Sequence, residues 1–198
     1  MCRFIESIRI ENGHVPLIEY HQQRYEQCIK IHFPDTKPVQ LANIANQYLH
    51  RPGIFKLRIE YDQIIRDVRC KPYYPRKIRQ FRLVYDDNVK YNWKYSNRKA
   101  LEKLKSKCAE DEEIIIVKNN LITDSSYANL IFYKEPHWFT PAKPLLNGTM
   151  RRYLLNQNKI QTMDITPSQL REFDFFAQVN ALLDIETTET YKMKQIIQ

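Results

Sequence analysis

The segment 121–133 places four short polar side chains between two strand-like apolar runs. It carries a carboxylate (Asp124), two hydroxyls (Ser125 and Ser126) and an amide (Asn129). Such side chains can be ordinary turn chemistry, or they can form a site that is held on a rigid scaffold. We expect a polar loop here, and two further segments bear on which interpretation holds.

The first of these segments surrounds Lys94, which lies between Trp93 and Tyr95 just before a predicted helix. An aromatic setting can desolvate an ammonium group, which lowers its pKa and makes the amine a usable nucleophile. Taken alone, a surface lysine whose stem packs on apolar groups is the more common explanation. In the second segment, Gly148 and Thr149 open another helix, whose N-terminal N–H groups could bind phosphate. That signal is weak by itself, since such a pair more often only begins a helix.

Composition limits the class of protein. A chain of 198 residues is long enough for one large or two small cores. Its 43% hydrophobic residues and 13 tyrosines indicate a folded globule rather than disorder. The formal charge of +8 is spread along the chain, so a solvated basic surface explains it at least as well as a nucleic-acid-binding face. We therefore predict no nucleic-acid partner.

The cysteines and apolar runs bear on metal and membrane. The four cysteines are far apart and form no Cys-x-x-Cys pair, which argues against structural zinc, and we expect no metal site. Because no signal peptide or long apolar run is present, we predict a cytoplasmic protein with reduced thiols and no membrane association.

The order of the expected elements predicts an α+β fold with a break near residue 86. Before the break, we expect strands at 4–10, 55–61, 64–70 and 79–85 and helices at 16–31 and 37–49. After it, we expect helices at 98–108 and 149–158, a further helix start at 166, and strands at 113–117, 121–123, 130–133, 138–140, 160–165, 175–179 and 182–185.

In order and spacing, five segments resemble motifs of the class IV aminotransferase family, the fold-type IV enzymes that use pyridoxal phosphate. Each motif is loose, but five in the correct order are specific, and they extend over most of the chain. They are Glu6-Ser-Ile-Arg-Ile with Gly13 and Tyr20-His21-x-x-Arg24, then Phe55-Lys-Leu-Arg58, Lys94-Tyr-Ser-Asn-Arg98, Ile122-Thr-Asp-Ser-Ser-Tyr-Ala-Asn129, and Leu146-Asn-Gly-Thr-Met-Arg151.

The resemblance implies two catalytic residues. Lys94 would be linked to the cofactor aldehyde, and once released it would be the base that moves the α-proton of the substrate. Asp124 would face the pyridine nitrogen and keep it protonated. The phosphate would be bound by Arg58 and by the start of the helix after Gly148. The full set of cofactor contacts that we expect is Arg58, Lys94, Asp124, Asn129, Gly148, Thr149, Met150 and Asn180.

The resemblance also implies a domain arrangement and an assembly. We expect a small α+β domain at 1–86, a larger α/β pseudo-barrel domain at 87–198, a cofactor site at their interface, and a homodimer. The family usually begins with an extra strand and a glycine-containing loop before the Glu6 segment, so we expect a fold that is shortened at its N-terminus. Position 124 is usually Glu in the family, and the glycine-rich loop that commonly follows the Arg58 strand is absent.

The short pattern Lys94-x-x-Asn97-Arg98 favours one reaction within this family. It is similar to that of lyases that convert 4-amino-4-deoxychorismate to 4-aminobenzoate and pyruvate for folate synthesis. A transaminase for branched-chain or D-amino acids is the alternative enzyme, and either would take a small-molecule amino substrate. A non-catalytic relic that binds an anion or nucleic acid is a third interpretation, which the intact set of Lys94, Asp124 and Arg58 opposes.

Overall fold

A computed structural model describes residues 2–50 and 52–197, and the chain divides into two units. The first unit contains Met1–Pro75 and Trp93–Asn97, and the second contains Arg76–Asn92 and Arg98–Gln198. The division therefore falls after residue 75 rather than at the expected residue 86. The reason is that the strand at 80–85 pairs with a strand of the second unit.

The first unit is an antiparallel three-stranded sheet, in the order β1-β2-β3, with helices on one face. Its second helix begins later than predicted, because Lys37 precedes a proline and is therefore disfavoured in a helix. The elements are β1 (Phe4–Glu11), α1 (Ile18–His32), α2 (Leu41–Ala45), a 3-10 helix (Asn46–Tyr48), β2 (Ile54–Tyr61) and β3 (Ile65–Pro72).

Alternate residues of β1 form the core of the first unit. Phe4, Ile8 and Ile10 are completely buried, and they share one hydrophobic cluster with Tyr25 and Ile29 of α1. Successive side chains of a strand point to opposite faces. One face of the sheet is therefore occupied by the helix, and the residues between the apolar ones lie on the other face.

The second unit is built on one nine-stranded mixed sheet. Its strands run in the order β11-β10-β7-β6-β5-β4-β12, and β8 pairs with both β7 and β9. The elements are β4 (Gln80–Tyr85), α3 (Lys99–Lys105), β5 (Glu112–Lys118), β6 (Leu121–Ser125), β7 (Asn129–Lys134), β8 (His137–Pro141), α4 (Thr149–Asn156), β9 (Gln161–Met163), a 3-10 helix (Pro167–Glu172), β10 (Phe175–Val179), β11 (Thr190–Lys192), a 3-10 helix (Met193–Gln195) and β12 (Ile196–Ile197).

Two turns in the second unit explain why one pair of predicted strands is observed and why another predicted strand is not. Asn119 and Asn120 have φ angles of 50° and 58°, as a tight hairpin between the two predicted strands β5 and β6 requires. The strand predicted at 182–185 is wrong, because Asn180 and Leu183 close a tight turn by exchanging two backbone hydrogen bonds. Within the described residues, no helix has the length and apolar character needed to cross a membrane.

Candidate active site

Lys94 is held at the edge of the first unit's sheet. Its carbonyl oxygen accepts a hydrogen bond of 2.9 Å from the N–H of Ile5, and Tyr95 forms a β-bridge with Phe4. The ring centroids of Tyr95 and Phe4 are 5.3 Å apart, and Trp93 packs on the ring of His32 on the same apolar face. Because Lys94 lies between these two aromatic residues, its side chain belongs to the opposite face.

Arg58 of β2 lies on that same opposite face. Its Nη2 donates a hydrogen bond of 3.1 Å to Oγ of Ser96, and its Nη1 forms an ion pair of 2.8 Å with Glu60. Ser96 follows Lys94 by two residues, which is the spacing that places two strand-like residues on one face. The first unit therefore presents two of the predicted site residues, Lys94 and Arg58, on one face of one sheet.

The helix-covered face of the same sheet holds a buried charged cluster. The completely buried carboxylate of Glu6 accepts hydrogen bonds of 2.8 and 2.5 Å from Arg24 and of 2.5 Å from Nδ1 of His21. Burial alone would raise the pKa of Glu6, but the charge of Arg24 and these hydrogen bonds lower it to about 2. Burial also lowers the pKa of His21. The sequence motif contained these three residues, whereas nothing in their spacing revealed that they would be buried together.

The predicted polar loop of the second unit is mostly strand. Asp124 and Ser125 are the last residues of β6, and Asn129 is the first residue of β7 and pairs with Asp124. Only the residues between Ser125 and Asn129 form the turn, and Ser125 closes it by donating through Oγ to the carbonyl of Ala128. The site residues are therefore fixed by the sheet rather than carried on a mobile loop.

Asp124 is a buried carboxylate with a hydrogen bond on each oxygen. Its Oδ1 accepts from Nδ2 of Asn129 at 2.7 Å, and its Oδ2 accepts from the N–H of Leu146 at 2.9 Å. Burial raises the pKa of Asp124 to about 6, because these hydrogen bonds and the charge of Arg151 offset the loss of hydration only in part. A protonated ring nitrogen would supply the missing positive charge, so this carboxylate fits the pyridine ring of pyridoxal phosphate.

Asn129 joins Asp124 to the turn before α4. Its Nδ2 also donates to the carbonyl of Leu146 at 2.8 Å. A Cβ atom added to Gly148 would lie 2.2 Å from Oδ1 of Asn129, which is closer than any real contact. Gly148 has an ordinary φ of −66°, so the close approach of Asn129, and not backbone strain, requires glycine at this position.

The first turn of α4 holds the next predicted residues. Thr149 and Met150 are buried, and their backbone N–H groups belong to the turn that lacks intrahelical acceptors. Arg151 is also buried and was not among the predicted contacts. Its guanidinium donates to Oγ1 of Thr140, to Oδ1 of Asn147 and to the carbonyl of Pro141, at 3.2, 2.9 and 2.9 Å. Arg151 therefore fixes the segment between β8 and α4.

Asn180, the most distant of the predicted residues in sequence, lies just after β10. Its Oδ1 accepts from the N–H of Leu182 at 2.8 Å, and its Nδ2 donates to the carbonyl of Tyr127 at 3.5 Å. It thus connects the turn after β10 to the turn after β6. The second unit brings Asp124, Asn129 and Gly148 into direct contact, and Thr149 and Met150 follow Gly148 in the first turn of α4. Asn180 contacts Tyr127, in the turn between β6 and β7.

Comparison with known proteins identifies the family. The sequence profile described as amino-transferase class IV matches residues 3–186. The chain belongs to this family. An uncharacterized protein of Haemophilus influenzae is 33% identical over 186 residues, which cover 92% of this chain and 98% of that protein.

Two crystal structures show the same fold. One is a Haemophilus somnus 129pt protein proposed to be a 4-amino-4-deoxychorismate lyase, with 36% identity, a TM-score of 0.87 and coverage of 93% of this chain and 98% of that one. The other is a Mesorhizobium loti protein proposed to be an amino-acid aminotransferase, with 17% identity, a TM-score of 0.83 and full coverage of both chains. The expected fold-type IV architecture is thus confirmed, and the family is one of pyridoxal-phosphate-dependent enzymes.

Replacing Gly148 by alanine should destabilise the fold. The added methyl group would overlap Oδ1 of Asn129, and overpacking of this kind costs about 1–3 kcal/mol. Urea unfolding of the wild type, Gly148→Ala, Asn129→Ala and the double variant measures the effect. The alanine should cost clearly less in the Asn129→Ala background, and an equal cost in both backgrounds would contradict the proposed clash.

Asp124 should make the stability of the cofactor-free protein depend on pH. Its pKa rises from 3.8 to about 6 on folding, so the folded state binds more protons between these values and loses stability as the pH rises through them. The shift corresponds to about 3 kcal/mol. Urea unfolding between about pH 4 and pH 7 should show this loss for the wild type and not for Asp124→Asn. Parallel pH profiles for the two proteins would mean that the pKa of Asp124 is not raised.

Proposed function

We propose that this chain is a pyridoxal-phosphate-dependent lyase that converts 4-amino-4-deoxychorismate to 4-aminobenzoate and pyruvate. The observation that carries the proposal is the near full-length similarity to the Haemophilus somnus protein, at an identity well above that of the aminotransferase neighbour. The pattern Lys94-x-x-Asn97-Arg98, which favoured the lyase from sequence, supports the same choice.

Two side chains would carry the chemistry. When bound, pyridoxal phosphate supplies an electron sink for the carbon that bears the substrate amine. The amine of Lys94 would anchor the cofactor and then take the proton from that carbon. The carboxylate of Asp124 would hold a proton on the ring nitrogen, and Asn129 and the N–H of Leu146 keep that carboxylate in place.

The remaining predicted residues would bind the phosphate and the ring. Backbone N–H groups of Thr149 and Met150, at the start of α4, are suited to an anion. Arg58 offers a guanidinium that is only partly used by Ser96 and Glu60. Asn180 would be a further polar contact. We also propose that the enzyme is a cytoplasmic homodimer that acts in folate synthesis.

A transaminase for branched-chain or D-amino acids is the second candidate. The Mesorhizobium loti protein covers the whole chain, but at 17% identity it supports only the fold. Both reactions need the same anchored lysine and the same carboxylate, so Lys94 and Asp124 do not distinguish them. They differ in the fate of the substrate after proton removal, since only the lyase expels the enolpyruvyl group and makes an aromatic ring.

The requirement for a second substrate separates the two reactions. A lyase should form 4-aminobenzoate and pyruvate from 4-amino-4-deoxychorismate alone over many turnovers, because its cofactor returns to the aldehyde form. A transaminase stops after one turnover unless a keto acid is added. We expect sustained formation of both products, measured by chromatography, and little change in the cofactor absorbance with ordinary amino acids. Rapid conversion of that absorbance by branched-chain or D-amino acids, without 4-aminobenzoate, would assign the transaminase activity instead.

A further inference from the structure

The face of the first sheet that carries Lys94 is strongly charged. Cross-strand partners share a face. The register of the three strands, together with alternation at Arg3 and Lys94, places seven cationic side chains on this face against three carboxylates. We call this the charged face. Its cations are Arg3, Arg9, Lys56, Arg58, Arg69, Lys71 and Lys94, and its carboxylates are Glu11, Glu60 and Asp67. The excess of positive charge beside Lys94 suits an anionic substrate.

Arg9 of β1 differs from the other arginines of the charged face. It is buried, with 7% exposure, and its Nε has no hydrogen-bond partner among the described residues. Its Nη2 forms an ion pair of 2.9 Å with one oxygen of Glu11. A buried N–H without an acceptor is costly and rare in native structures, so it calls for an explanation.

The geometry of the guanidinium supplies one. The N–H groups of Nε and Nη2 point in the same direction, and together they form an edge that both oxygens of one carboxylate can bind. Glu11 fills only the Nη2 position of that edge, and its side chain is 35% exposed. Arg69, by contrast, uses its Nε in an ion pair of 2.7 Å with Asp67, and its side chain is 64% exposed. Half of the binding edge of Arg9 is thus left for another acceptor.

The position of Arg9 along β1 indicates which carboxylate it would reach. Lys94 lies beside Ile5, and Arg9 is four residues further along the strand. At about 3.3 Å per residue, their backbone positions are about 13 Å apart. Side chains of a strand stand roughly perpendicular to the sheet, so Lys94 and Arg9 would keep much of this spacing, and a substrate that reaches both would have its carboxylate remote from its reacting amine. In 4-aminobenzoate, these groups lie at opposite ends of the ring, whereas an α-amino acid carries both on one carbon.

We propose that Arg9 binds the ring carboxylate of the amino substrate through Nε and Nη2, and that Glu11 holds part of this edge until the substrate displaces it. The proposal rests on the proposed function in one respect, that Lys94 holds the cofactor with which the substrate amine reacts. Arg9 is then a specificity-determining residue that selects amines with a remote carboxylate over α-amino acids. Glu11 competes with the substrate for the Nη2 position of this edge.

Binding of 4-aminobenzoate to the cofactor-loaded enzyme, measured by calorimetry, tests this without turnover. The variants are Arg9→Lys, which loses the two-donor edge, Glu11→Gln, which removes the competing charge, and Arg69→Lys as a matched control on the same face. We expect Arg9→Lys to raise the Kd about tenfold or more, Glu11→Gln to lower it, and Arg69→Lys to leave it unchanged. Aniline, which lacks the carboxylate, should bind all four proteins equally.

Several results would overturn the proposal. The first is that the wild type does not bind 4-aminobenzoate. The second is that neither Arg9→Lys nor Glu11→Gln changes the Kd. The third is that Arg9→Lys weakens the binding of aniline as much as that of 4-aminobenzoate. If Arg9→Lys does not fold, Glu11→Gln decides alone. The Glu11 side chain is 35% exposed, so its replacement should not disturb the fold, and a lowered Kd is not a result of damage. A failure of the lyase reaction itself is distinguishable, since the wild type would then bind 4-aminobenzoate through Arg9 and yet form no product from 4-amino-4-deoxychorismate.

Discussion

The buried carboxylate of Asp124 is the constraint on which the second unit's site depends. Removing a carboxylate from water is unfavourable unless donors replace the lost hydration, and here Asn129 and the N–H of Leu146 supply one hydrogen bond to each oxygen. Asn129 can do so only because Gly148 leaves room for its side chain. The ends of β6 and β7, the turn before α4 and the start of that helix are thereby all positioned around one carboxyl group. Its raised pKa shows that the charged form is only partly stabilised, and a bound cation would stabilise it further.

In the first unit, the alternation of side chains along β1 determines which residues are buried and which lie on the charged face. On one face of β1, Phe4, Ile8 and Ile10 lie in the helix-covered core, together with the carboxylate of Glu6, which is paired with Arg24. The alternate positions lie on the charged face with Arg58 and Lys94. A single strand therefore separates a group whose charge is satisfied within the fold from groups such as Arg9 whose donors are incompletely used. That separation is what makes the charged face suitable for an anionic ligand.

The sequence predicted the elements with clear periodicity or clear turn chemistry. The strand of Phe4, the two strands on either side of Asn119 and the helix after Gly148 are all where the pattern indicated. It did not predict β12, which has two residues and exists only because β4 offers it an edge. The family motifs led to Lys94 and Asp124, but the contact of Asn129 with Gly148 and the open Nε of Arg9 depend on which strands become neighbours. Pairing of this kind is non-local, so no short pattern records it.

The proposed chemistry depends on attachment of the cofactor to Lys94, which borohydride reduction would make permanent and therefore detectable. Wild type, Lys94→Ala and the exposed-lysine control Lys103→Ala would each be loaded with pyridoxal phosphate, reduced, digested and analysed by mass spectrometry. We expect one modified peptide, containing Lys94, in the wild type and in Lys103→Ala, and no stoichiometric modification in Lys94→Ala. Stoichiometric trapping of the cofactor at a single other lysine in the wild type would contradict it.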